Sequence, residues 1–480
     1  MAQFDFVVIG SGPAGRRAAI QAAKLGQSVL VIDDRKKLGG VSLHTGTIPS
    51  KTLRETALNL SGWRERGFYG QGYRARQDIR SEDLAVRLDK TIAHEVDVLE
   101  HQFTRNGVKH LVGRARFESP HRLAVDREVG DQRITEIIEA EKILIGVGTT
   151  PYHPDNIPFN GTSVVDSDRF ILSPRLPRSL VVVGAGVIGI EYATIFSAMD
   201  VPVTLIEPRD SLLDFMDRDI VDHLVYLMRD RGVDLRLGAS VRHVVFNERD
   251  EPVCVLADGR LVSAETVLFT AGRIGATGSL DLAKAGLTAD ARGRIEVDRS
   301  TFQTAQPHIY AAGDVIGFPS LASTSMEQGR AAACHAFGKD CACADSNLPY
   351  GVYAVPELSS VGLTEQEARR RGIAYECGIA RFRETSRGHI MGSHCGMLKL
   401  VCEQGSGKLL GAHIIGEGAS ELIHIGQAVI GLGGTVSYLV DNCFNYPTLA
   451  EAYKIAALDI WNRLQHSAVD SLQPQFAKVC

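Results

Sequence analysis

The residues with the plainest chemical meaning are two glycine triplets. Gly10-x-Gly12-x-x-Gly15 follows the apolar run FDFVVI, and Gly184-x-Gly186-x-x-Gly189 follows SLVVV. Each leads into a helix-like stretch and then a second apolar run ending on a carboxylate. That acid is Asp33 in the first copy and Glu207 in the second, 18 residues beyond the third glycine in both. Each part has a mechanical job in holding a dinucleotide. The first glycine makes a tight turn, the second lets backbone approach a pyrophosphate, and the third lets helix close on strand. The phosphates meet free N–H groups at the helix start, and the acid accepts from a ribose hydroxyl. One triplet alone is weak evidence. Two copies with the same order and spacing predict two dinucleotide sites.

Nucleotide choice turns on the second copy. Glu207 suits the free 2′-hydroxyl of NAD and repels a 2′-phosphate, whereas Arg209, two residues on, could bind that phosphate. Arg16 and Arg17 could assist phosphate binding, but a solvated helix face is the better reading. Two further charged residues are ambiguous on local pattern. Lys51 closes the segment GGVSLHTGTIPSK (39–51) and reads as an ordinary solvated lysine; Glu191 lies near a helix start, where the dipole favours acids. Three short glycine segments end apolar runs: Gly146-x-Gly148, Ala271-Gly272-Arg273 and Ala312-Gly313-Asp314. They are either strand exits of parallel sheets, where ligands collect, or plain tight turns. The nine cysteines contain no C-x-x-C pair, and none precedes Cys254. An odd count without a signal peptide points to reduced thiols. The group Cys334, Cys341 and Cys343 matches no zinc spacing, so no metal site is expected.

Over essentially its whole length the chain resembles the class I pyridine nucleotide-disulfide oxidoreductases. The family's redox loop reads roughly GGTCxxxGCIPSK, and its two cysteines relay electrons from flavin to a disulfide. Here those positions hold Ser42 and Thr47. A serine hydroxyl cannot replace a thiolate nucleophile, and threonine cannot act as the second sulfur. The family's acid–base motif, H-P-x-x-x-E, has become Tyr446-Pro447-Thr448-Leu449-Ala450-Glu451, so the histidine is missing while the glutamate remains. Within the family, SLHTGTIPSKTLRE and YPTLAEA look most like the soluble, Si-specific pyridine nucleotide transhydrogenases. Those carry Thr at the second cysteine position and His where reductases have Asn, here Thr47 and His44. They keep a cysteine at the first position, where this chain departs with Ser42.

The resemblance implies one non-covalent FAD per subunit, with NAD(H) and NADP(H) as substrates exchanging hydride from NADPH to NAD+ in a ping-pong cycle. It implies that Lys51 approaches the flavin N5 side and pairs with Glu191. It carries Gly40, Gly148, Gly272 and Asp314 into the cofactor contacts beside the two glycine triplets, Asp33, Glu207 and Arg209. It also brings Tyr446 and Glu451 toward a partner subunit's flavin in a homodimer. Ser42 and Thr47 read as space-filling residues, and His44 as either site-lining or structural. His424 reads as an interface histidine. Two competing functions stay open: an NAD(P)H dehydrogenase passing electrons to a quinone, and an idle FAD- and NAD-binding subunit.

These residues need a particular scaffold. The expected fold class is α/β: two Rossmann-like nucleotide-binding domains plus a C-terminal α+β dimerisation domain. The expected divisions are 1–154 (FAD-binding, first part), 155–273 (inserted NAD(P)-binding), 274–346 (FAD-binding, second part) and 347–480 (interface), with YAVPELSSVGLTE and NYPTLAEAY in the last. A chain of 480 residues has the length for about three domains. With 52 basic and 57 acidic residues, net −5 and no long run of either sign, neither nucleic acid nor an anionic membrane is an expected partner. No uninterrupted apolar window is long enough to span a bilayer and no signal segment is recognisable, so a cytoplasmic location is expected. The tail beyond Arg463, with Cys480, receives no role.

Overall fold

The computed structural model describes residues 2–172, 176–340, 347–393 and 395–470; Cys341, Cys343 and Cys480 lie outside the described residues. Two sheets, the first mixed and the second parallel, carry the two glycine triplets. In the first, Lys109–Val112, Val29–Asp33, Ala2–Ile9 and Gln132–Ile145 lie side by side, with Ile309–Ala311 beyond the C-terminal half of the last strand. The N-terminal half of Gln132–Ile145 instead pairs antiparallel with Arg122–Val129, which pairs in turn with Arg114–Ser119. The central strands are continuous apolar runs because helix Pro13–Lys24 packs on them and Phe117, Leu123 and Val125 of the antiparallel strands join the same core; Phe6, Val7, Val8, Ile143 and Leu144 are fully buried.

The second sheet runs Asp234–Leu237, Val203–Glu207, Leu180–Val183, Thr266–Phe269 and Val164–Asp166, all parallel. A three-stranded antiparallel ribbon, Val241–Phe246, Pro252–Leu256 and Leu261–Ser263, is attached to it in sequence. The chain leaves the first sheet through Thr149–Pro151 and returns through Arg273–Gly275, and these two segments pair antiparallel. Arg273 ties the crossing. Its guanidinium reaches both Asp168 oxygens at 2.7 and 3.1 Å and the Thr149 carbonyl at 2.8 Å. The second nucleotide unit is therefore inserted between two stretches of the first.

The remaining chain forms an antiparallel sheet ordered Tyr350–Val352, Leu358–Gly362, Leu409–Ile415, Met397–Glu403 and Tyr375–Arg381. Helices Ala419–Gly431 and Glu451–Asp470 pack on it. The fold class is thus the expected one, two Rossmann-like units and an α+β C-terminal part. Among the described residues no helix is long and apolar enough to cross a membrane.

Candidate active site

The first cradle follows from steric limits. Gly10 has φ +102°, and a Cβ there would lie 2.5 Å from the Gly146 carbonyl oxygen; one on Gly15 would lie 1.9 Å from the Gly10 oxygen. Gly12 is different. A Cβ would meet nothing within 4 Å, and Gly12 is the N-cap of helix Pro13–Lys24 with no side chain capping it. That combination leaves open space in front of unpaired helix N–H groups, which fits a diphosphate. Asp33 closes the turn from the next strand. Its Oδ2 accepts from Ser11 N at 2.7 Å and Ser11 Oγ at 2.5 Å, and its Oδ1 accepts from Arg35 N at 3.0 Å. Ser11 Oγ in turn accepts from Gly39 N at 2.8 Å, bringing the 39–51 segment against the cradle. Gly40 then approaches so closely that a Cβ would sit 2.9 Å from Gly12 Cα.

Residues distant in sequence complete this cradle. Gly313 lies against Ala14, and its N–H donates to Gln328 Oε1 at 2.9 Å. The following Asp314 is thereby brought beside the first triplet. Burial pushes the Asp314 carboxyl above its ordinary range, against the opposing effects of Arg273 and a Ser325 hydrogen bond. Gly148 has φ +67° with open space where a side chain would be. These segments follow strands Gln132–Ile145 and Ile309–Ala311 of the first sheet. Arg17 is exposed as expected, but Arg16 is half-buried, its guanidinium 3.7 Å from Met326 Sδ. The tight packing of helix Pro13–Lys24 on Ala322–Ala336, with Gly329 against the Ala14 carbonyl, draws that side chain inward.

The second cradle repeats the first. A Cβ on Gly184 would lie 2.8 Å from the Thr270 carbonyl oxygen, and one on Gly189 would lie 1.9 Å from the Gly184 oxygen. Gly186 faces open space as the uncapped start of helix Val187–Ala198. Gly272, at φ +111°, is likewise open. Glu207 Oε2 accepts from Ala185 N at 2.7 Å, and Oε1 accepts from Arg209 Nε at 2.7 Å. Burial would raise the Glu207 carboxyl, but Arg209 and the two backbone donors outweigh it and hold the group below its ordinary value. Arg209 itself is half exposed. Its guanidinium stands at the edge of the strand end, where Nη1 also reaches Asp214 Oδ2 at 3.5 Å.

Lys51 lies where the three parts of the chain meet. It projects from helix Thr47–Ser61, and its Nζ donates to Glu191 Oε1 and Oε2 at 2.8 and 2.7 Å. Glu191 is buried on helix Val187–Ala198 and accepts a third bond, from Tyr353 N, at 2.9 Å. Lys51 Nζ also stands 4.9 Å from the centroid of the Tyr353 ring. The solvated-lysine and helix-dipole readings both fail against this geometry, because a carboxylate this deeply buried needs a partner. Tyr353 carries no spacing signal in the sequence that would have marked it.

The former thiol positions hold no redox centre. Ser42 is buried in the short helix Gly40–His44, and Thr47 is exposed at the start of the next helix. His44 Nε2 lies 2.9 Å from the Leu38 carbonyl, a bond that holds the loop together. Tyr446 and Glu451 are not joined by the structure. The Tyr446 hydroxyl is 2.6 Å from Ser386 Oγ on an exposed surface, while Glu451 Oε2 is a buried oxygen with no hydrogen-bond partner among the described residues. Neither bonds to Lys51. His424 is exposed, with Nδ1 2.8 Å from Gln427 Oε1.

The chain is similar to known proteins over nearly its whole length. The family model described as pyridine nucleotide-disulphide oxidoreductase matches residues 4–329, and the dimerisation domain of the same family matches residues 348–457. A soluble pyridine nucleotide transhydrogenase of Mycobacterium tuberculosis is 49% identical over 465 residues, covering 97% of this chain and 98% of the relative. A protein of the same description from Escherichia coli is 41% identical over 466 residues, covering 96% and 98%. Among solved structures, LpdA from Mycobacterium tuberculosis superposes with a TM-score of 0.86 at 26% identity, covering 95% of this chain and 99% of that one. The HOCl-induced flavoprotein disulfide reductase RclA from Escherichia coli, as its Cu(II) complex, does so with a TM-score of 0.85 at 28% identity, covering 95% and 99%.

Proposed function

The chain belongs to the pyridine nucleotide-disulphide oxidoreductases, and from that premise we propose that it exchanges hydride between NADPH and NAD+ through FAD, without a redox disulfide. One observation carries the reading: the Lys51–Glu191 pair is fully formed while Ser42 and Thr47 leave nothing to accept electrons beyond it. Bound FAD would supply the redox chemistry of hydride exchange between nicotinamides. Gly10, Gly12, Gly15, Asp33, Gly40, Gly148 and Asp314 hold that cofactor in the N-terminal unit. Gly184, Gly186, Gly189, Glu207, Arg209 and Gly272 hold the nicotinamide nucleotides, which use one site in turn. The Lys51 ammonium would stabilise negative charge at the flavin edge, and Glu191 holds that ammonium in place.

The inserted nucleotide unit spans residues 155–273, flanked by FAD-binding parts 1–154 and 274–346, with 347–480 as the interface region. The pairing of Thr149–Pro151 with Arg273–Gly275 supports those divisions. The working form is a two-fold homodimer in the cytoplasm. Its interface carries the segment around Tyr446 and Glu451, which face the partner's flavin, and the exposed Tyr438, Tyr446 and Trp461 suit such a contact. Anaerobic reductive titration tests the chemistry. The yellow protein takes up two electrons per subunit, and alkylating its thiols leaves turnover intact. Uptake of four electrons would reveal a second redox centre and overturn the reading.

A further inference from the structure

We infer that Tyr353 is a positioning residue of the hydride-exchange site, its ring forming the floor against which the Lys51 ammonium is held. The inference rests on the reading of Lys51 given above and extends it to a third part of the chain. Lys51 belongs to the helix after the first cradle, Glu191 to the second cradle, and Tyr353 to the antiparallel C-terminal part, just beyond strand Tyr350–Val352. All three converge on one nitrogen. The contacts on that nitrogen are the two Glu191 oxygens, Ser50 Oγ at 3.3 Å and the aromatic ring at 4.9 Å.

A flexible four-carbon stem does not by itself hold an ammonium in one direction. Here the pairing carboxylate is fixed, because Glu191 Oε1 also accepts from Tyr353 N at 2.9 Å. One helical turn further on, Thr194 Oγ1 accepts from Val355 N at 3.0 Å, so residues 353–355 are fastened to the Glu191 helix at two points. Tyr353 itself is partly buried. Burial pushes the pKa of its phenol up, against the opposing effect of nearby Ser420. Ser420 Oγ itself donates to Glu357 Oε2 at 2.9 Å. Tyr353 is thus held at its backbone by Glu191, and its ring presents its face to the charge. A cation over an aromatic face gains attraction from the ring quadrupole, more so where water is partly excluded; the Lys51 side chain is 26% exposed.

The test uses the FAD-loaded protein and separates the ring from the hydroxyl. Tyr353→Leu keeps the backbone N–H but removes the aromatic face; Tyr353→Phe keeps the face and loses only the hydroxyl. Flavin absorbance and thermal melting confirm that each variant is loaded and folded. Stopped-flow half-reactions, with NADPH and with thio-NAD+, are expected to slow about tenfold in Tyr353→Leu, with nucleotide KM values unchanged. The flavin midpoint potential falls in the same variant, since the cation is less well placed. Tyr353→Phe restores both rate and potential to near those of the parent protein. In a Lys51→Ala background, Tyr353→Leu has no further effect. Full rates with an unshifted potential in Tyr353→Leu would overturn the inference, as would an equal slowing in the Lys51→Ala background. If Lys51→Ala slows the half-reactions and Tyr353→Leu does not, this inference alone falls. If Lys51→Ala itself changes nothing, the role of Lys51 falls with it.

Discussion

The two glycine cradles are built to one plan and enclosed very differently. In the first, Ser11 Oγ bridges Asp33 to Gly39, Gly40 presses on Gly12, Gly146 backs Gly10, and Gly313 and Gly329 close on Ala14. Those contacts come from five separate segments of the chain. In the second, the glycine loop is backed by Glu207 and Thr270 from its own sheet, and the acid's remaining partner is the half-exposed Arg209. The same motif is thus enclosed to suit two kinds of occupant. A loop clamped from several sides suits a cofactor that stays through every turnover. A loop open at the strand end suits a nucleotide that must arrive and leave, and that can differ at its 2′ position.

The sharpest way to break this comparison is to add one methyl group to each third glycine. Both would collide with a backbone oxygen 1.9 Å away. Gly15→Ala is expected to yield colourless or insoluble protein, whereas Gly189→Ala stays yellow while kcat/KM for both nucleotides falls about 100-fold. Flavin absorbance and steady-state assays distinguish the two, and a colourless Gly189→Ala protein would show that the cradles are not separable. Next in size is the junction between them. Lys51→Ala is expected to slow NADPH-driven reduction and thio-NAD+-driven reoxidation by similar factors, between about 10- and 100-fold. Unequal slowing would mean that the lysine serves one nucleotide and not the exchange itself.

A smaller effect is expected at the open edge of the second cradle. Arg209→Ala removes a charge-assisted contact from a half-exposed site, at a cost of about 1.5 kcal/mol for NADPH and little for NADH. Glu207→Ala improves NADPH relative to NADH. Because Arg209 and backbone donors hold the Glu207 carboxyl below its ordinary 4.5, this discrimination does not vary with pH through the neutral range. Competitive measurements of KM for the two nucleotides check both variants; equal effects would show that the strand end does not read the ribose. Smallest of all are Ser42→Ala and Thr47→Ala, expected to change turnover less than about twofold, since neither hydroxyl carries electrons.

The cradles were legible in the sequence because a dinucleotide fold compresses its requirements into one short stretch. Turn, helix start and acid must fall at fixed intervals, and they do, from Gly10 to Asp33 and from Gly184 to Glu207. The Lys51–Glu191 pair was different. Its members are 140 residues apart, so local pattern read each as unremarkable, and family resemblance alone suggested that they meet. Tyr353 left no trace of either kind, because its useful features are a backbone N–H and a ring face turned toward a residue 302 positions earlier. The inward turn of Arg16 was hidden for a similar reason. Whether a helix face is solvated depends on what packs against it, and here that is Ala322–Ala336, far along the chain. The loss of the thiols was the easiest feature to read, since it required only the identities of Ser42 and Thr47.

The claim that one open cradle receives both nucleotides in turn is tested most directly by initial-rate kinetics. NADPH oxidation is measured against varied thio-NAD+ at several fixed NADPH concentrations, without quinone or oxygen. Two nucleotides sharing the loop of Gly184, Gly186 and Gly189 cannot be bound together, so the first product leaves before the second substrate enters. Double-reciprocal plots are then parallel. Intersecting lines, the pattern of a complex holding both nucleotides at once, would contradict the account.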